Sequence, residues 1–399
     1  MVNPLLVLLI SLILAYIFSE VLKVFKLPRV IGQLAAGFIL GIPLIKQVLF
    51  TPEINSIFSF FANIGIILLF YFVGLEINVG EFKRYARTSS LVAIFNTGLP
   101  LLAGFLVSFY GFDLSLIESL VIGISLGVSS QAISLDILEE LNLLKSRIGK
   151  FIIMSGAVDD IFEFLLVSVL LIIFHIAAGS AYLSTIVLGI FAFMILVIVM
   201  RSVLIPFALR QFERENSPTS LFMGSLIIVV SIAYLAEVFK IGSLIGALVA
   251  GMLVRQVLLT GKKHRPWEEH SIARSVHLIS FGMFVPVFFV WVGVNTSLSG
   301  VITNLPLIGT LIVIDIVGTV LGTMLGIVLS GNKFREGLIV GWGLLPKGDT
   351  ELVIATLALT SNLISLKIFS AIILSSFIVT IIAPIVFNRL VKKYKRTVM

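Results

Sequence analysis

The chain has 399 residues, 59% of them hydrophobic and 12% charged, against about 25% charged in an ordinary soluble domain. No soluble core hides that much apolar surface, so the composition excludes a water-soluble fold and makes the lipid bilayer the solvent for most of the chain. Cysteine is absent, which excludes disulfide and zinc-thiolate chemistry, and the formal charge of +7 has a better explanation than nucleic acid.

Apolar runs of at least about 17–20 residues mark helical spans. The first lies within MVNPLLVLLISLILAYIFSE, which lacks the basic n-region of a secretory signal and carries too long an apolar run for one. It reads as a retained span over 4–22. Twelve more follow, at 28–45, 57–78, 89–110, 115–138, 149–174, 183–208, 218–239, 241–259, 275–296, 305–330, 336–360 and 367–389. The expected fold is an all-α polytopic membrane protein with thirteen transmembrane helices.

Counting Lys and Arg tests that division. One set of alternate loops, from Lys23–Arg29 to the basic tail 391–399, holds 24 of the 28. The other set holds only Lys46, Lys240 and Lys367, and Lys347 falls inside a span. This positive-inside asymmetry places the N-terminus outside and the C-terminus in the cytoplasm of a plasma-membrane protein. It also assigns the basic clusters to anionic lipid at the bilayer surface, with no nucleic-acid partner.

The chain repeats itself. IGQLAAGFILG (31–41) matches IGALVAGMLV (245–254), with Gly37 opposite Gly251, and FYFVGLEIN (70–78) is followed in the same order by FVWVGVNTSL (289–298), with Gly74 opposite Gly293. The offset is seven spans, an odd number, so spans 8–13 repeat spans 1–6 upside down and span 7 is a linker. Such inverted repeats place an ion site where discontinuous helices meet. Span 5 carries Gly127, Ser129 and Ser130 at mid-length, and its partner, span 12, carries Pro346, Lys347, Gly348, Asp349 and Glu351. Proline and glycine at that depth predict two broken helices around a common cavity.

Span 6 holds SGAVDDIFEF (155–164), with Asp159, Asp160 and Glu163 near its centre. Spacings of i,i+3 and i,i+4 put the three on one side of a helix. An ionised acid facing lipid costs a few kcal/mol, so they face inward. Crowded, buried carboxylates hold protons near neutrality and release them to a hard cation, which prefers oxygen ligands such as carboxylates, the hydroxyls of Ser129 and Ser130, and freed carbonyls. Asp315 is a lone acid of span 11, and Lys347 and Glu351, at i,i+4, are spaced to pair across the break. The four histidines lie near span ends and make no ligand cluster.

Seven segments, in order, then carry a resemblance: LPRVIGQLAAGFILGIP (27–43), IGIILLFYFVGLEIN (64–78), GVSSQAISLDILEELNLLKSRIGK (127–150), VDDIFEFLL (158–166), IGALVAGML (245–253), VPVFFVWVGV (285–294) and LPKGDTELVIA (345–355). Together they resemble the cation:proton antiporter-2 family of sodium/proton and potassium/proton exchangers. The resemblance implies a scaffold and homodimer interface of residues 1–88 and 218–296, a mobile core of 89–174 and 305–390, and elevator-like exchange of Na+, or of K+ or Li+, for protons, with 183–208 linking the halves. It implies an ion and proton site of Asp160 as principal ligand with Asp159, Ser129, Ser130 and Asp349, and accessory roles for Glu163, Asp315, Thr319, Lys347 and Glu351. It implies no cofactor beyond the transported ions and no enzymatic activity. Where some family members carry a lysine in span 11 that pairs with the first acid, this chain offers Asp315 and Thr319. Two other classes are weighed against exchange. An intramembrane aspartic protease would need Asp349 opposite Asp160, since adjacent acids on a helix diverge by ~100° and form no dyad. A passive cation channel would carry ions without proton coupling.

Overall fold

A computed structural model describes residues 2–24, 27, 29–76, 82–129, 146–156, 183–205, 218–239, 241–260, 271–296 and 301–394, with positions 138, 143, 158, 159, 162, 166 and 170. Every regular element among them is a helix: α1 (Pro4–Val24), α2 (Arg29–Leu40), α3 (Pro43–Leu49), α4 (Pro52–Glu76), α5 (Phe82–Gly111), α6 (Leu116–Gly127), α7 (147–156), α8 (Leu183–Val199, extended by a π-helical turn Met200–Leu204), α9 (Pro218–Val238), α10 (Ser243–Thr260), α11 (Ser271–Ile279, with a π-helical turn Ser280–Phe284), α12 (Val285–Asn295), α13 (Val301–Leu329), α14 (Phe334–Leu344), α15 (Asp349–Thr360) and α16 (Leu366–Lys393).

Local chemistry sets several of the helix starts. Proline opens α1, α3, α4 and α9, where its missing N–H costs nothing and its fixed φ already suits a helix. Ser115 caps α6, accepting from Glu118 N at 3.3 Å, while the Glu118 carboxylate accepts from Ser115 N at 3.0 Å. Ser365 caps α16 in the simpler one-way form.

Among the described residues, six helices are long and apolar enough to cross a membrane, or seven if the bent pair α2–α3 counts as one. Spans 5, 6 and 7 of the expected thirteen lie partly outside the described residues. One boundary is corrected. The second span, expected to run to 45, stops at Leu40, and the chain turns by 86° into α3. The composition hides this because α3 is itself apolar, but Gly41 ends α2 and Pro43 starts a new helix in another direction.

Long apolar side chains point outward on α1, α8 and α9: Leu5 and Tyr16, Leu188 and Ile195, Val230 and Tyr234 are all exposed. Apolar exposure on that scale suits lipid rather than water.

The helices pack as two groups. In one, α1 lies against α2, α2 against α12, α4 against α10, and α9 against α10; in the other, α5, α6, α13, α14, α15 and α16 pack on one another. Within the first group, backbones touch at glycine. Gly37 of α2 meets the Cα of Gly293 and the carbonyl of Val290 on α12, and Gly251 of α10 meets Gly74 and the carbonyl of Tyr71 on α4. The two crossings are equivalent under the repeat register, and in each the glycine faces the carbonyl three residues before its partner glycine. A methyl group at either place would collide with main chain, so only glycine permits the approach.

The second predicted break is present, and the helix of the first ends where expected. Helix α6 stops at Gly127, and Val128 and Ser129 are non-helical. Helix α14 stops at Leu344, Leu345–Gly348 are non-helical, and α15 begins at Asp349. Pro346 cannot donate and Gly348 is extended, so the chain leaves the helix and re-enters it within four residues.

Candidate functional site

The ends of the broken helices meet the middle of α5 and α13. Asp159, 1% exposed, accepts three hydrogen bonds from neutral groups: from Asn96 Nδ2 at 3.0 Å, from Thr97 Oγ1 at 2.5 Å, and from the Ser129 hydroxyl. Asn96 and Thr97 belong to α5, and Ser129 to the strand of chain that leaves α6. Asn96 is itself held from the far side, its Oδ1 accepting from Thr323 Oγ1 of α13 at 2.9 Å. A carboxylate has about four acceptor positions, and these three donors leave one.

The second centre is charged. Lys347 Nζ lies 2.7 Å from Asp315 Oδ1 and donates to the carbonyls of Leu126 at 2.7 Å and Val128 at 2.6 Å. The lysine of the second broken span thus caps the carboxyl end of the first, where helix carbonyls lack partners and the helix dipole is negative. Thr319 donates to Asp315 at 3.3 Å, one turn along α13. The main chain at the break is held too, as Lys347 N donates to Thr380 Oγ1 of α16 at 3.0 Å. Glu351, fully buried, accepts from Ser376 Oγ at 2.8 Å.

The structure therefore brings Asp159 and Ser129 together, and separately Lys347, Asp315 and Thr319. The spacing of Lys347 and Glu351 suggested that they pair across the break. Instead the Lys347 ammonium is committed to Asp315 and two carbonyls, while Glu351 turns to Ser376. The reason is geometric: a lysine at a helix break reaches the exposed carbonyls of the crossing helix, which a partner on its own helix does not offer. Asp160, Ser130 and Glu163 lie outside the described residues. Asp349 occupies the first position of α15, and its side chain lies outside what the structure describes.

Sequence reading missed Asn96, Thr97 and Thr323. Two signals were available. Asn96 and Thr97 interrupt an apolar run in the middle of span 4, and Asp315, Thr319 and Thr323 recur every four residues, which stripes one face of span 11. Buried carboxylates and hydroxyl oxygens are the ligand types that a hard cation favours.

Comparison with known proteins agrees in extent and kind. An Na(+)/H(+) antiporter of Enterococcus hirae is 27% identical over 388 residues, covering 97% of this chain and 98% of that protein. The Na(+)/H(+)-K(+) antiporter GerN of Bacillus cereus is 28% identical over 357 residues, covering 90% of this chain and 88% of its own. In fold, the chain is similar to the sodium proton antiporter MjNhaP1 from Methanocaldococcus jannaschii at pH 8, with a TM-score of 0.66 at 15% identity over 97% of this chain and 96% of that one. The family described as "Sodium/hydrogen exchanger, transmembrane" matches residues 8–393. The chain belongs to this sodium/hydrogen exchanger family of membrane transporters.

Proposed function

We propose that the chain exchanges a monovalent cation for protons across the plasma membrane, with Na+ as the first candidate and K+ or Li+ as alternatives. Asp160 and Asp159 form the shared site, with Ser129, Ser130 and Asp349 around it and Glu163, Asp315, Thr319, Lys347 and Glu351 as the accessory set. The observation that carries this is Asp159 itself: a buried carboxylate at the end of a broken helix, surrounded by neutral donors, with an acceptor position left over. The relatives' names supply the chemistry, since one is an Na(+)/H(+) antiporter and another an Na(+)/H(+)-K(+) antiporter.

The mechanism in this reading is alternating access by an elevator-like movement. Residues 89–174 and 305–390 form the moving core, 1–88 and 218–296 the scaffold and homodimer interface, and 183–208 the linker. The two packing groups of the fold support that division. The reciprocal glycine crossings support the inverted repeat and, with it, thirteen spans with the N-terminus outside and the basic tail inside. The neutral cage bears on proton coupling. A carboxylate paired with a lysine already has its charge balanced, whereas Asp159, among neutral donors, gains from either a proton or a cation. Competition between the two for one pair of acids couples their movement. The reading needs no cofactor and no catalysis.

A pH-probe dequenching series in proteoliposomes tests it. Addition of Na+, K+ or Li+ to one side should drive saturable proton movement for at least one of them. Cation flux without proton movement would point to a channel instead.

A further inference from the structure

We propose that Asn96 is a positioning residue for Asp159, locked in one amide orientation by Thr323, and that this pair sets how tightly the transported cation is held. The inference rests on the exchange reading, because cation affinity has meaning only if a cation is carried.

The register between α5 and α13 makes the contact obligatory. Gly322 lies against the carbonyl of Phe95, and Gly326 lies against Val92, so the two helices touch backbone to backbone along this stretch. The residue after Gly322 is Thr323 and the residue after Phe95 is Asn96. Close approach of the backbones therefore brings this hydroxyl to this amide, 2.9 Å apart, with both residues buried.

An amide has one accepting end and one donating end. Asp159, as a carboxylate, only accepts, so it requires the Nδ2 end, which lies 3.0 Å from Oδ2 and 3.4 Å from Ser129 Oγ. Thr323 donates to the Oδ1 end from the opposite side. A flipped amide would set oxygen against carboxylate and leave the Thr323 hydroxyl facing an NH2 group. The hydroxyl thus acts through Asn96, and Asn96 acts on the acid. With Thr97 and Ser129 also donating, the carboxylate cannot turn without breaking bonds, and its remaining acceptor position points in a single direction. A cation finds that oxygen already oriented, and orientation fixed in advance lowers the cost of binding.

Without the hydroxyl, Asp159 alone holds the amide, and the oriented state becomes a smaller part of the population. The test is cation-driven proton movement by the full chain in proteoliposomes for wild type, Thr323→Val, Thr323→Ser, Asn96→Ala and the double variant Asn96→Ala/Thr323→Val. Folding is checked by thermal unfolding in detergent, and Thr323→Ala replaces Thr323→Val if the latter does not fold. The expected result is a roughly 3- to 10-fold rise in half-saturating cation concentration for Thr323→Val, the equivalent of one net hydrogen bond, exceeding any change in maximal rate. Thr323→Ser should return to within about twofold of wild type, because it keeps the donor. Asn96→Ala should exceed Thr323→Val, and adding Thr323→Val to it should change nothing further. Unaltered half-saturation in both Thr323→Val and Thr323→Ala, or independent effects in the double variant, overturns the inference while wild-type exchange keeps the functional reading. If wild type itself moves no protons in response to any alkali cation, the functional reading fails and takes this inference with it.

Discussion

Beside the first break, Asp159 sits among three neutral donors and touches no lysine or arginine among the described residues. At the second break, Lys347 meets one carboxylate and donates to two carbonyls. The two centres are close in the fold and opposite in design. A buried ion pair is costly to disrupt, and this one ties α6 and α13 to the break between α14 and α15. A carboxylate among neutral donors has a charge still to be balanced. In the proposed exchange, the second break would brace the crossing and Asp159 would belong to the exchangeable site.

Breaking the fixed centre should have the largest effect. Lys347→Met leaves Asp315 buried without its cation and two helix-end carbonyls uncapped, and should destabilise by about 3–5 kcal/mol in chemical unfolding. The double variant Lys347→Met/Asp315→Leu should recover much of that, because an apolar pair leaves no orphaned charge. If the single variant unfolds like wild type, the pair is not the brace described here.

The neutral centre should respond differently. Asp159→Asn keeps the shape but turns an NH2 group toward donors that need an acceptor. It should lower stability by about 1–3 kcal/mol, less than the lysine variant, while removing most of the exchange activity. Equal stability losses at Asp159 and Lys347 would erase the contrast between the two centres.

The packing group outside the core sharpens the comparison further. Gly37→Val and Gly251→Val each drive a branched side chain into a neighbouring backbone and should cost at least about 1–3 kcal/mol, by similar amounts if the crossings are equivalent. Gly309→Ala in α13 meets no other group within 4 Å and should be neutral, or stabilising by up to about 1 kcal/mol. The smallest loss is expected at Arg147, whose side chain is half exposed and lies 3.4 Å from Glu336. Arg147→Ala also loses a hydrogen bond to Asn332 Oδ1 and the contact over the Phe151 ring, and should cost about 1 kcal/mol, because Glu336 still accepts from Lys333 N at the start of α14.

Much of this was legible from residue type and spacing. Pro346 and Gly348 announced the second break because they change the backbone directly, and Gly127 before Ser129 announced the first. Gly37, Gly74, Gly251 and Gly293 stood out by their matching motifs, and each is where two helices touch. The 86° turn after Leu40 was not legible, since α3 is as apolar as a continued span would be. Nor was the partner of Lys347. Spacing along one helix favours Glu351, but the acceptors it uses are two carbonyls more than two hundred residues away at the end of α6 and a carboxylate on α13, and only the crossing of the helices brings them near. Asn96 and Thr97 were visible as polar interruptions, yet without the fold nothing tied them to an acid on another span.

The measurement closest to the central claim is cation-driven proton movement in proteoliposomes containing wild type or Asp160→Asn, followed with a pH probe. Wild type should release protons saturably as cation is added, and the variant, correctly folded, should show no response above protein-free vesicles. Exchange that persists undiminished in Asp160→Asn would contradict the assignment of the shared site to the acids of span 6.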